Sequence, residues 1–524
     1  MRAIGYAALV ALFTVATLER EPYDDAYFFK RFALNALDHG VLAWNVGDGP
    51  VYGITSQLFQ AIAIGVAALT RDYWMLGMRL LLAACLVAAF PMLLATTRRF
   101  DRGIAATVAV CSPVALYSVS SGMETALCFA LLACLLWLLY DERGRRAHWA
   151  WAPLLVFLCW LARPDVLLLA LPPLIAERWT SRRPPLRELA ALGLGVATSL
   201  AAFKLYYGTA LPLPFYAKHP LFSPYDAHFL ELSAAGKRRH FASFLSAGLG
   251  LALAAAQRRD RTNAALLGAV VLFSSYHLLA TIDVMGMHGR FFAPALPLLA
   301  VAAARAAAST TRGSALVLGA VYFAVCAALA AASWLPEERL APPYLAVSAL
   351  ATLVLFAAPL APALAGHGSF ALLLGFAAAI VIADPPRLRA PPRDEAYLAR
   401  HVEHSTVFRG LFTLKRCFGE EIALYHSEIG VPGLVFARGR VIDLAGLMNE
   451  KWLFRQQSVD ALCRAERPEA FFLPHQNYRE LNAEIERSRC LEGYRRVVDE
   501  SRSALHVRND LVERYLACDG RNSP

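Results

Sequence analysis

The sequence predicts an α-helical polytopic membrane protein of about thirteen crossings that ends in an α/β domain on the outer side of the membrane. Three observations carry that class. Of 524 residues, 57% are hydrophobic and 18% charged, against about 25% charged in soluble domains. Apolar runs of roughly 15–22 residues, long enough to cross a bilayer, recur from the N-terminus to Asp384. Beyond that point the pattern changes. Residues 384–524 carry 22 Lys+Arg and 21 Asp+Glu, and short apolar runs alternate with helical patterns there.

Residues 3–18 are apolar behind Arg2 and lack a small-residue cleavage pattern, so they read as a retained signal anchor. A long loop, 19–53, follows. Further apolar segments fall near 54–70, 74–96, 104–119, 123–140, 149–162, 166–176, 188–207, 241–256, 264–282, 291–308, 314–333, 343–363 and 368–383. Nearly all of the net charge of +10 lies in the membrane half. It clusters at Arg98/Arg99/Arg102, Arg143/Arg145/Arg146, Arg178/Arg182/Arg183/Arg187, Arg258/Arg259/Arg261 and Arg312, which is an orientation signal and not a nucleic-acid groove. These clusters share one side, the cytoplasmic one, only if 54–70 does not cross fully. The outward segments are then 19–53, 118–125, 163–165, 208–240, 283–290, 334–342 and the tail.

The chain divides into a membrane domain, 1–383, and a soluble domain, 384–524, behind the linker prolines Pro385, Pro391 and Pro392. Runs at 421–425, 440–444, 470–473 and 495–499 read as strands, and 394–403, 458–466 and 477–489 as helices. Cys85, Cys111, Cys128, Cys134, Cys159 and Cys326 lie in apolar segments as small core residues. The tail cysteines Cys417, Cys463, Cys490 and Cys518 fit no zinc spacing. In an oxidising compartment they allow one or two disulfides, whose pairing the sequence leaves open.

Residues that could carry chemistry gather on the outward list. Asp24-Asp25 stand where the chain first meets water. As a helix, 24–37 puts Asp24, Tyr27 and Arg31 on one face and gives an apolar surface suited to the membrane interface. The pair suits a general base or a divalent-cation ligand, and equally a solvated helix cap. Glu124, after Ser120-Ser121-Gly122-Met123, is a second carboxylate or a cap. Arg163-Pro164-Asp165 breaks a helix with two charges, either self-paired or functional. Tyr206-Tyr207-Gly208 and Phe215-Tyr216-Ala217-Lys218 give aromatics and a cation at the membrane edge. His288-Gly289-Arg290-Phe291-Phe292 places a cation, Arg290, at the outer start of a span, against the positive-inside trend, where a lipid phosphate would account for it.

These motifs resemble, in order, those of GT-C-fold polytopic glycosyltransferases, and among them the mycobacterial terminal β-(1→2)-arabinofuranosyltransferase group. The opening block is Asp24-Asp25-Ala26-Tyr27, Arg31-Phe32-Ala33, Asn35, Gly40, Asn45, Gly47 and Thr55-Ser56. Gly122-Met123-Glu124-Thr125-Ala126, Arg163-Pro164-Asp165, Leu213 to Lys218, and Gly289-Arg290-Phe291-Phe292 follow. Ser427-Glu428-Ile429-Gly430 and Val441 to Leu447 complete the set.

The resemblance implies an integral protein of the bacterial cytoplasmic membrane. It would transfer a sugar from a polyprenyl-phosphate donor to a cell-envelope glycan or lipid on the outer face. It assigns the catalytic acid residue to Asp24 or Asp25, acting as base in an inverting displacement. Arg31, Arg163, Lys218 and Arg290 become phosphate ligands, with Tyr27, Tyr52, Glu124 and His288 around the substrates. One departure stands out. The family block Glu-Gly-Tyr-Thr-Ser is here Val51-Tyr52-Gly53-Ile54-Thr55-Ser56, without the carboxylate and with the tyrosine displaced, which leaves sugar and acceptor open. The competing classes are a lipid-linked-sugar transporter or flippase and a non-catalytic envelope assembly subunit. The transporter reading calls for charges near the bilayer midplane and two related halves, and neither pattern is evident in the sequence.

Overall fold

The computed structural model describes residues 2–101, 103–141, 151–181, 185–219, 227–282, 289–307, 317–318, 320–322, 350, 354–355, 362–383, 391–405, 408, 410–454, 458–473, 479–500 and 503–519. Most of the expected segments 314–333 and 343–363, and His288, lie outside the described residues.

The bundle comprises α1 (Arg2–Ala16), α2 (Asp24–His39), α3 (Gln57–Thr70), α4 (Trp74–Asp101), α5 (Ile104–Cys111), α6 (Pro113–Ser120), α7 (Thr125–Tyr140), α8 (Trp151–Ala162), α9 (Leu167–Thr180), α10 (Leu186–Tyr207), α11 (Leu213–Ala217), α12 (Ala227–Ala255), α13 (Arg261–Ser275), α14 (Leu296–Ala307) and α15 (Pro362–Ala383). Leu296 to Ala304 are all buried, as expected of a helix apolar on every face. Helix α14 is thus the axis, packed on α4, α5, α7, α12 and α13. The segment near 104–119 is two helices. Pro113 ends the first by removing an N–H donor, and Ser112 Oγ caps the second through Ala115 N at 3.2 Å.

Among the described residues, three helical stretches are long and apolar enough to cross a membrane: Gln57–Arg98, Leu186–Tyr207 and Arg261–Ala280. Five shorter apolar helices lie beside them. Within the first stretch the chain reverses at Arg71 (φ 31°). Arg71 pairs with Asp38 of α2 at 2.6 Å, and the N–H groups of Trp74 and Met75 donate to Asp394 at 3.0 Å each. The C-terminal end of α3 therefore meets α2 and the start of the tail.

The tail holds α16 (Asp394–His404), α17 (Leu411–Phe418), β1 (Ala423–His426), α18 (Gly430–Val435), β2 (Arg440–Asp443), α19 (Glu450–Leu453), α20 (Val459–Glu466), β3 (Ala470–Phe472), α21 (Arg479–Arg487), β4 (Tyr494–Glu500), β5 (Ser503–Arg508) and α22 (Val512–Asp519). The five strands form one sheet in the order β2-β1-β3-β5-β4. Strand β1 runs parallel to β2 and β3, while β5 runs antiparallel to β3 and β4. Strand β5 was not expected. Only Leu505 and Val507 of its apolar residues alternate toward the core, too short a signal to register in the sequence. Two disulfides, Cys417–Cys518 and Cys463–Cys490, use all four tail cysteines.

The sheet domain is fastened to α2. Gly430 N and Val431 N, at the start of α18, donate to the Asp24 carboxylate at 3.1 and 2.6 Å. A Cβ on Gly430 would lie 2.2 Å from Asp24 O, so only glycine permits this approach. Arg31 donates to the carbonyls of Trp44, Gly433, Phe436 and Gly439 and to Asn45 Oδ1. Lys30 pairs with Asp394 at 2.7 Å, and Trp44 Nε1 donates to Val441 O at 2.8 Å.

Candidate active site

Where α2, the break between α8 and α9, α11 and the turn before α14 meet, they enclose a cavity of about 250 Å³. Each polar residue reaches it for a local reason. Pro164 ends α8, leaving Arg163 extended (φ −162°) ahead of a short 3-10 turn, Pro164–Val166, and so both charges project from the break. Glu124 precedes α7 but makes no capping hydrogen bond. Its carboxylate instead faces Arg163, at 3.7 Å from Nε. Asp25 sits in the first turn of α2, one residue on from Asp24 and therefore rotated away from it toward the cavity. Lys218 follows α11, and Arg290 occupies the turn before α14.

The cavity has its own charge network. Asp165 receives Arg163 Nε at 3.1 Å and Nη2 at 2.5 Å, and His277 Nε2 lies 2.8 Å from it. Burial opposes ionisation of Asp165, but Arg163 and His277 together outweigh it and hold the carboxyl below its usual range. Arg290 reaches Asp25 through Nη2 at 3.3 Å, its guanidinium 4.8 Å from both the Tyr23 and Phe291 ring centres. Several buried atoms here have no hydrogen-bond partner among the described residues: Glu124 Oε2, Arg163 Nη1, and Arg290 Nε and Nη1. Unmet donors on two buried guanidiniums are costly unless something anionic engages them. The Lys218 ammonium forms no ion pair among the described residues. Phe28, Phe29, Met123, Trp160, Phe215 and Phe291 supply apolar wall.

Of the residues expected at the site, Asp25, Glu124, Arg163, Lys218 and Arg290 are brought together here. Asp24, Tyr27, Arg31 and Tyr52 are not. Asp24 and Arg31 are spent on fastening the sheet domain. Asp24 is raised well above the usual carboxylate range by burial and then by the charges of Glu428 and Asp25, against the two N–H bonds. Burial pulls Arg31 down to about 9. Tyr27 is buried in the core. Tyr52 stacks on Tyr207 at 4.7 Å, and its carbonyl receives Leu213 N at 2.8 Å, so it holds α11 in place.

The two aspartates do not converge on one point, and among the described residues no three His, Cys, Asp or Glu side chains form a metal-binding group. The pair therefore offers no shared site for the divalent cation that the sequence left open as one alternative, Asp24 being engaged by Gly430 and Val431 and Asp25 by Arg290. His277 was missed. It lies in a π-helical turn, Tyr276–Ala280, inside an apolar segment, and a lone ionisable side chain there is itself a site signal.

No protein-family model matches the chain, and no curated protein matches it in sequence. Two solved structures are similar over nearly its whole length. ArnT from Cupriavidus metallidurans in the apo state has a TM-score of 0.54 at 15% identity. The same protein bound to undecaprenyl phosphate has 0.52 at 13%. Each alignment covers 96% of this chain and 97% of that one. The fold of this chain is therefore the GT-C fold that its ordered motifs led us to expect.

Proposed function

We propose that the protein is a glycosyltransferase that moves a sugar from a polyprenyl-phosphate donor to a hydroxyl of a cell-envelope glycan or lipid. The observation that carries this reading is the cavity itself: a carboxylate, Asp25, faces a site bounded by Arg163, Lys218 and Arg290, with guanidinium donors unmet. The ArnT structure of the same fold holds undecaprenyl phosphate, a ligand of the donor class proposed here.

In this reading Asp25 takes the proton of the acceptor hydroxyl as its oxygen attacks the anomeric carbon. The bond from that carbon to the phosphate oxygen breaks on the opposite face, inverting the anomeric centre. The leaving polyprenyl phosphate takes the electron pair, and Arg163, Arg290 and Lys218 stabilise its charge. Glu124 and the Asp165–His277 pair orient Arg163. The active site lies on the outer face of the bacterial cytoplasmic membrane, where the tail's two disulfides would persist. Arabinofuranose is the sugar that the motif resemblance favours.

The test is transfer by purified protein in lipid bilayers, supplied with polyprenyl-phosphoryl arabinofuranose and other polyprenyl-phosphoryl sugars. Product with an inverted anomeric centre, lost in Asp25→Asn, is expected. No turnover of any donor, or full turnover by Asp25→Asn, would overturn the reading.

A further inference from the structure

One cavity-lining residue comes from the tail. Leu447 belongs to the turn between β2 and α19, yet it lines the same cavity as Asp25 and Arg290. It also packs toward two small apolar clusters, one with Ile282 and Ala445 and the other with Leu213, Ala217 and Leu453. The turn is held in shape from beneath. Asp443, at the end of β2, accepts Ala445 N and Met448 N at 2.8 Å each. Met448, the residue after Leu447, is seated against the first outward loop. A Cβ on Gly53 would lie 1.9 Å from Met448 Sδ and 3.3 Å from Leu447 O. Gly53 is thus the socket for Met448. It stands in the block Val51–Ser56, where the sequence departs from the family pattern.

We propose that this turn is the acceptor-selecting wall of the active site, with Leu447 as the residue that an acceptor sugar packs against and Gly53–Met448 as the joint that sets its position. The inference rests on the glycosyltransferase reading above. Its reasoning is directional. The cations proposed for the donor phosphate all come from the membrane domain, and the polyprenyl chain must stay in the bilayer. An inverting displacement requires the acceptor hydroxyl to arrive on the face away from the phosphate, beside Asp25. The wall furnished by the sheet domain lies on the side open to water, from which a glycan approaches. An apolar side chain there suits the C–H face of a sugar and leaves hydroxyl recognition to the polar residues around it. The substrate class is therefore a glycan whose terminal sugar is selected by size at Leu447.

The test uses the full chain in lipid nanodiscs with polyprenyl-phosphoryl arabinofuranose as donor and, as acceptors whose terminal sugars differ in size, octyl arabinofuranoside and octyl glucopyranoside. Leu447→Trp should change the ratio of kcat/KM between the two acceptors at least tenfold, with donor KM within twofold of wild type. Gly53→Ala, which displaces Met448, should shift the same ratio in the same direction. Met448→Leu, of similar volume, should leave it within twofold. Undecaprenyl phosphate binding and melting temperature, measured on each variant, separate a local change from misfolding. An unchanged acceptor ratio in folded Leu447→Trp overturns the inference, as does a rise in donor KM alone. Wild-type protein that uses no polyprenyl-phosphate sugar overturns the parent reading and this inference with it, a result distinct from either.

Discussion

Arg290 holds Asp25 through a 3.3 Å contact from Nη2 and keeps Nε and Nη1 without partners among the described residues. One guanidinium is thus shared between the candidate base and the space in front of it. Its guanidinium lies 4.8 Å from the Tyr23 and Phe291 ring centres, cation–π contacts that restrain it.

That arrangement predicts a specific failure for Arg290→Lys. Lysine keeps the charge but has no planar fork to serve carboxylate and phosphate together. The expected result is a fall in kcat of about 10²–10³-fold, the usual effect of losing one oriented donor, with a higher donor KM. Steady-state kinetics against the polyprenyl-phosphate donor provide the check, and a kcat near wild type would remove Arg290 from the site.

The neighbouring aspartates should separate cleanly. Asp25→Asn removes the base and should lower kcat by about 10²–10⁴-fold with no change in melting temperature. Asp24→Asn replaces one of the two oxygens that receive Gly430 N and Val431 N with a donor. It should cost about 1–3 kcal/mol, seen as a lower melting temperature and faster hydrogen exchange at 430–435, with a smaller loss of rate. Equal catalytic defects with equal stabilities would contradict this division of labour.

How much of this was legible beforehand depends on the range of each signal. The broken helix at Arg163-Pro164-Asp165 was readable because proline acts on its own backbone. The strands near 423, 440, 470 and 494 were readable from short apolar runs. Asp24 and Asp25 could not be told apart, because their difference is made by Gly430 and Val431, some four hundred residues away. Arg31 looked like a phosphate ligand for the same reason: its partners are carbonyls at 433–439, which leave no mark on the sequence near it. His277 gave the right signal, a titratable group in an apolar run, and went unremarked beside louder motifs. Leu447 gave none, since a leucine in a turn announces nothing until the turn is seen over the cavity.

The tail cysteines carry a prediction about compartment. Cys463–Cys490 and Cys417–Cys518 close segments with separations of 27 and 101 residues, and closing loops of this size is worth about 3–5 kcal/mol each. Maleimide should label none of the four before reduction and all four after it in the unfolded chain, read by mass spectrometry. Reduction should lower the melting temperature. Free thiols in protein taken from the native membrane would place the tail in a reducing compartment, against the topology proposed.

The last prediction concerns pH and the turn over the cavity. Asp443 is buried at the end of β2, and burial pushes its carboxyl up to about 7, against the opposing backbone N–H bonds of Met448, Ala445 and Leu447. A folded-state pKa above the unfolded value of roughly 3.9 means that the folded chain binds the extra proton between the two. Stability contributed in this way is present below about pH 4 and is lost as pH rises toward about 7, at most about 3 kcal/mol between pH 5 and pH 8. The tail should therefore melt lower at pH 8 than at pH 5, and Asp443→Asn should flatten that slope while lowering stability at both, because its amide can accept only one of the two 2.8 Å bonds. Differential scanning fluorimetry of the full chain, paired with hydrogen exchange at 444–449, resolves the question. If the backbone N–H groups outweigh burial, the carboxylate is the favoured form in the fold, its contribution is lost only as pH falls below about 4, and stability is flat between pH 5 and pH 8. That flat profile would show that the turn is fixed by a permanent charge and that its grip on Leu447 does not loosen with pH.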